Sequence, residues 1–137
     1  MLFSTAISSE DREVPQLSTP VKGPKTSAGA CRFAAGGIRL APGQEPAKAL
    51  KELVSHCRMR KASHVSWACR LALDGRITEM KGDGGESGAG SIILDVLRKS
   101  SAENILVAVA RWYGGKHIGG LRFRIYRKLT SEMLETL

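Results

Sequence analysis

Along residues 65–73, Val65, Trp67, Cys69, Leu71 and Leu73 alternate with Ser66, Ala68, Arg70 and Ala72, the two-residue period of a strand with one buried face. Asp74-Gly75 follows, a dipeptide suited to a two-residue type I′ turn, so residues 76–80 are predicted to return as the second strand of a hairpin. Upstream the period is different. Leu50, Leu53, Val54 and Cys57 fall at i, i+3, i+4 and i+7, and Pro46 suits the first helical position, which predicts a helix beginning there. Its far end carries Arg58, Arg60 and Lys61, which complement the negative end of the helix dipole. Between residues 30 and 40, Cys31, Phe33 and Ala35 share one parity and Ile38 and Leu40 the other. This predicts a strand with a bulge at Gly36-Gly37. Ile92, Ile93, Val96 and Leu97 mark a helix over residues 91–99, and residues 105–110 form an uninterrupted apolar run, as for a central strand. Phe123, Tyr126, Leu129, Met133, Leu134 and Leu137 trace a last amphipathic helix.

Residues 1–27 hold three of the five prolines, many Ser and Thr and no sustained period. They are predicted to be a flexible N-terminal extension, leaving residues 28–137 as one α/β domain, in order strand, helix, hairpin, helix, strand, helix. At 137 residues the chain is of single-domain size, with no apolar run of the ~20 residues that span a bilayer. No membrane partner is expected. The start lacks a basic leader and carries Glu10, Asp11 and Glu13, so a cytoplasmic location is expected. Cys31, Cys57 and Cys69 are odd in number, lack C-x-x-C spacing and occupy periodic apolar positions, which predicts reduced core thiols rather than disulfides or a metal site. No metal or cofactor is expected.

Charge and glycine then single out two loops. Residues 111–120 read Arg-Trp-Tyr-Gly-Gly-Lys-His-Ile-Gly-Gly, between the apolar run and the last helix. Six Lys or Arg and no Asp or Glu lie between residues 111 and 128, against a net charge of +8 for the chain. Arg111, Lys116, His117, Arg122 and Arg124 can meet phosphates or an acidic protein face. Trp112 and Tyr113 offer stacking surface, and Gly114 and Gly115 allow close backbone approach. The early cations of the last helix also coincide with its positive end, a doubly favoured place for an anion. The second loop, residues 82–90, carries Asp83, Gly85, Glu86, Ser87 and Gly90 ahead of a helix. It lacks the Lys-Ser/Thr of a P-loop, and its carboxylates would repel phosphate, so they are expected to cap the helix or pair with the cationic loop. The two loops are predicted to meet in one cleft, with Gly84, Gly85, Gly114 and Gly115 letting the backbones approach. His64 and Arg70 are further candidates. An alternative reading makes the chain a small enzyme with Asp83, Glu86, His64 and His117 as acid–base groups and Ser87 as nucleophile. No nucleophile elbow, metal pair or triad order supports it.

Three segments in order resemble the Impact family. Ala62-Ser63-His64-Val65 followed by Trp67-Ala68-Cys69-Arg70 is similar to the family's Ala-Thr-His-Asn and Tyr-Ala-Tyr-Arg segments. Residues 83–90 are similar to its Asp-Asp-Gly-Glu loop. Arg111-Trp112-Tyr113-Gly114-Gly115 with Ile118-Gly119 resembles its Arg-Trp/Tyr-Tyr/Phe-Gly-Gly signature, with Trp leaning toward the eukaryotic branch. Gly84 stands where the family has a second Asp, and Val65 where it has Asn, so roles needing those side chains are not carried over. The resemblance implies the conserved C-terminal Impact domain. Its expected fold is a two-layer α/β (α+β) sandwich like the second domain of ribosomal protein S5, with about four strands and helices on one face. It implies a regulator of translational initiation in a starvation-kinase stress response, acting through a translation-related protein or RNA and ribosome contacts, rather than an enzyme. Eukaryotic members carry a separate N-terminal domain that binds the kinase's activator, and residues 1–27 are too short to be it. The oligomeric state stays open.

Overall fold

The computed structural model describes residues 18–137. It contains strands β1 (Val21–Ala28), β2 (Cys31–Arg39), β3 (His64–Leu73), β4 (Arg76–Gly82) and β5 (Ile105–Trp112), with helices α1 (Pro46–His56), α2 (Ala89–Lys99) and α3 (Leu121–Thr136). The strands form one sheet in the order β1-β2-β5-β3-β4, every neighbouring pair antiparallel. The mixed α/β class is therefore as expected, with five strands rather than four. The additional strand is β1, formed by residues expected in the N-terminal extension. The remainder of that expectation, at residues 1–17, lies outside the described residues.

β5 is central because every residue from Ile105 to Arg111 is buried, and its two parities serve two cores. Val107 and Val109 join Phe33, Ile93, Leu97, Tyr126, Leu129 and Met133 beneath α2 and α3. Leu106, Ala108 and Ala110 join Ile38, Ala49, Leu53 and Met59 beneath α1. The helices thus lie on both faces, not one. The amphipathic pattern of α1 announced a buried stripe but carried no information about which face would receive it.

Gly36-Gly37 makes no bulge. β2 pairs with β5 without a slip, and the change of parity at the glycines arises because both faces of β2 are covered. A Cβ on Gly36 would lie 2.8 Å from Cys57 Sγ, and one on Gly37 2.8 Å from Leu137 Cδ1. The glycines let the segment after α1 and the end of α3 close onto opposite sides of one strand. The slip in register instead lies in β1, between Lys22 and Lys25. The β3–β4 hairpin forms as predicted, with Asp74 at φ 51° and Gly75 at φ 75°, both in the left-handed region that a type I′ turn requires.

Candidate functional site

At one end of the sheet the start of β3 lies beside the end of β5, with His64 opposite Arg111. The Ser63 N–H donates to the Arg111 carbonyl at 2.8 Å, and the Tyr113 N–H donates to Ser63 Oγ at 2.9 Å. The glycine loop between β4 and α2 folds over this end. Gly84 has φ +60°, and a Cβ there would collide with the backbone of Val65. The backbone conformation there therefore favours glycine in this chain. His64 Nδ1 lies 3.1 Å from the Gly84 carbonyl, and because a carbonyl only accepts, this bond requires the proton on Nδ1.

The two loops meet through side chains. Arg111 Nη1 donates to Glu86 at 2.8 and 3.1 Å, with both side chains almost wholly buried. The Tyr126 hydroxyl donates to Glu86 Oε1 at 2.7 Å. Arg122 Nε lies 3.2 Å from Oε2 but off the hydrogen-bonding line, so that contact is electrostatic. Burial pushes the Glu86 carboxyl up, and the donors Arg111 and Tyr126 outweigh it, holding it below the usual carboxylate range. Burial and the bond to Glu86 raise Tyr126, which keeps its proton as a donor. Arg111 also reaches Cys31 Sγ at 3.6 Å, where the Gly114 N–H donates at 3.4 Å. Burial would raise this thiol, but these two donors hold it below its ordinary value. Arg111 Nε has no acceptor among the described residues, so its charge is balanced through the other two nitrogens.

Asp83 closes its own loop. Its carboxylate accepts from the N–H groups of Gly88 at 3.1 Å and Gly90 at 2.8 Å, which hold its acidity below the usual range. The N-terminus of α2 is therefore occupied by a carboxylate of the same chain. A Cβ on Gly90 would lie 2.9 Å from Asp83 Oδ1, so glycine is needed there. Gly85, at φ +87°, packs against His64, and Ser87 is exposed ahead of the helix.

Several expectations are corrected. The loop glycines do not pack loop against loop: Gly84 and Gly85 sit on the start of β3, Gly114 sits against Ala30 in the β1–β2 turn, and Gly115, at φ +92°, faces open space. Arg70 is at the other end of the sheet, opposite Ile105, where it donates to Glu79 and to the Ala102 carbonyl. Glu79 also binds Arg98, so that cluster ties β3 and β4 to α2. The first N–H groups of α3 turn back onto the carbonyls of Ile118, Gly119 and Gly120, and its terminus offers no open anion cradle. Nor is the basic segment one surface. Trp112 belongs to the α1 face, covered by the Arg32 guanidinium at 5.2 Å, whereas Arg111 belongs to the other. Tyr113, Lys116 and His117 are exposed, with the Tyr113 and His117 rings 5.6 Å apart. Arg124 joins Lys128 in a cavity of about 270 Å³ between β1 and α3.

Tyr126 and Cys31, core positions by their sequence pattern, reach the site because α3 packs on the same face of the sheet as the start of β2, which sets the Tyr126 hydroxyl on Glu86 and the Cys31 thiol beside Arg111. Among the described residues no three of His, Cys, Asp and Glu gather as metal ligands. No helix there is long and apolar enough to cross a membrane.

Fold and site together define an antiparallel α/β domain, locked at one end by a buried arginine, glutamate and tyrosine. The chain belongs to the Impact family: the family described as the Impact N-terminal domain matches residues 30–134. The matched domain is described as N-terminal, whereas the motif resemblance implied the family's C-terminal domain. The chain is 39% identical over 93 residues to the Protein IMPACT homolog of Schizosaccharomyces pombe, covering 67% of this chain and 33% of that protein. For the Saccharomyces cerevisiae homolog the figures are 40% over 84 residues, 59% and 33%. The chain thus spans about a third of the length of these relatives. The solved structure of the two-domain translational regulator Yih1 aligns with a TM-score of 0.53 at 31% identity, covering 90% of this chain and 47% of that one. A crystal structure of a hypothetical protein gives 0.63 at 24% identity, covering 90% and 57%, a likeness of fold alone.

Proposed function

We propose that this domain is a binding module of translation control, acting through protein or RNA and ribosome contacts rather than by catalysis. One observation carries the reading: Asp83, Glu86 and His64 are engaged in holding the loops, while exposed cations elsewhere on the domain carry no carboxylate partner among the described residues. Asp83 is bound by the Gly88 and Gly90 N–H groups, Glu86 by Arg111 and Tyr126, and His64 faces a carbonyl. Lys22, Lys25, Arg32 and Arg58 are exposed and pair with no carboxylate among the described residues. Exposed cations without carboxylate partners suit recognition of an acidic partner. The relative described as a translational regulator supports the biological setting.

An affinity pull-down from cell extract tests this. The expected result is salt-sensitive recovery of ribosomal material or translation factors. Recovery of metabolic enzymes alone would refute the reading.

A further inference from the structure

On the α1 face, β1 and β2 extend past the helix and leave a concavity of about 500 Å³. Lys22, Lys25, Arg32, Arg58 and Trp112 line it, and among the described residues no Asp or Glu does. The four cations are exposed, and none pairs with a carboxylate among the described residues. Each reaches the concavity by a different route. Lys22 and Lys25 flank the register slip of β1. Arg32 lies opposite Trp112 in the β2–β5 ladder, and its guanidinium covers the indole. Arg58 follows α1 at φ 58°, while the Met59 N–H reaches back to the Val54 carbonyl, a helix-closing turn in which glycine is the usual residue. An arginine has been placed at a backbone position that disfavours side chains.

We infer that this concavity binds the sugar–phosphate backbone of single-stranded RNA, with a base stacked on the Arg32–Trp112 pair. The inference rests on the proposed function and gives it a partner and a site. Cations at several points around a π surface are what single-strand recognition requires, because phosphates need neutralising and every base has a stacking face. An acidic peptide fits less well. A peptide docking on a sheet gains most of its affinity by adding a strand, and the β1 edge is broken by the slip at Gly23-Pro24, where proline has no N–H to offer. The concavity opens on the face of the sheet, where no such ladder can form.

The test is fluorescence anisotropy with a labelled oligouridylate as probe. If the four cations each meet a phosphate, the log–log salt slope is about −3, roughly a fifty-fold loss of affinity between about 50 and 200 mM salt. Lys25→Glu with Arg58→Glu halves that slope and weakens binding at least about tenfold. Lys116→Glu with Arg124→Glu, outside the concavity, changes affinity less than about threefold. Thermal melts check that both variants stay folded. Trp67→Phe leaves Trp112 as the remaining tryptophan of the two, and its emission is quenched by the probe. Binding lost in the Lys116/Arg124 variant but kept in the Lys25/Arg58 variant overturns the inference, as does binding without a change in Trp112 emission. Competition by oligoglutamate as effective as by unlabelled RNA overturns it in favour of an acidic protein partner. If extract still yields translation factors while the oligouridylate shows no binding at low salt, the inference falls and the proposed function stands. Failure of both experiments removes both.

Discussion

Replacing Glu86 with glutamine keeps the shape of the side chain and an oxygen for Tyr126, but removes the charge that balances Arg111. The Arg111 and Glu86 side chains are 5% and 9% exposed, so the guanidinium left behind cannot be rescued by water. Breaking a buried pair by removing one partner costs about 3–5 kcal/mol, and because the amide oxygen still accepts, Glu86→Gln is placed at about 3 kcal/mol. That is a large fraction of the ~5–15 kcal/mol by which such a domain is stable. For a chain of this size it lowers the melting temperature by roughly 10–15 °C. Glu86→Gln combined with Arg111→Met removes both charges, so its loss should be smaller than that of Glu86→Gln alone. Urea unfolding of wild type, the two single variants and the double variant measures the coupling, with the slope m checked for constancy. A Glu86→Gln loss under about 1 kcal/mol, or a double variant whose loss is the sum of the singles, would refute the idea that this pair locks the two loops.

Acid titration follows the same carboxylate. Glu86 and Asp83 have native pKa values below the unfolded ~4.3 and ~3.9, so their stabilisation is complete above those values and is lost as pH falls through the native ones. The acid limb of stability against pH should therefore be shallower in Glu86→Gln, and identical limbs would contradict the assigned direction. Gly84→Ala should be severely destabilising because its Cβ meets the Val65 backbone at φ +60°. Gly115→Ala, at φ +92° in open space, should cost only about 1–2 kcal/mol of backbone strain, and comparable melting shifts for the two would count against this geometry.

The local pattern was sufficient for the elements that depend on neighbours in sequence. Asp74-Gly75 dictates the hairpin because few other dipeptides adopt two left-handed residues in a row, and Pro46 marks the start of α1 because that position needs no N–H. The apolar run of β5 announced burial on both sides, and the opposite charges of the two loops announced that they would pair. What the pattern could not carry was which face a helix covers and which strand lies beside which. A stripe at Leu50, Leu53, Val54 and Cys57 is equally compatible with either side of a sheet; the packing of Leu53 and Cys57 against Gly36 decided it. β1 has no apolar alternation, and its pairing with β2 is a tertiary event that moved Lys22 and Lys25 out of an apparent tail and into the cationic concavity. Arg111 and Trp112 are adjacent in sequence, yet side chains alternate across a strand, so one became the buried centre of the lock and the other the wall of the concavity on the opposite face.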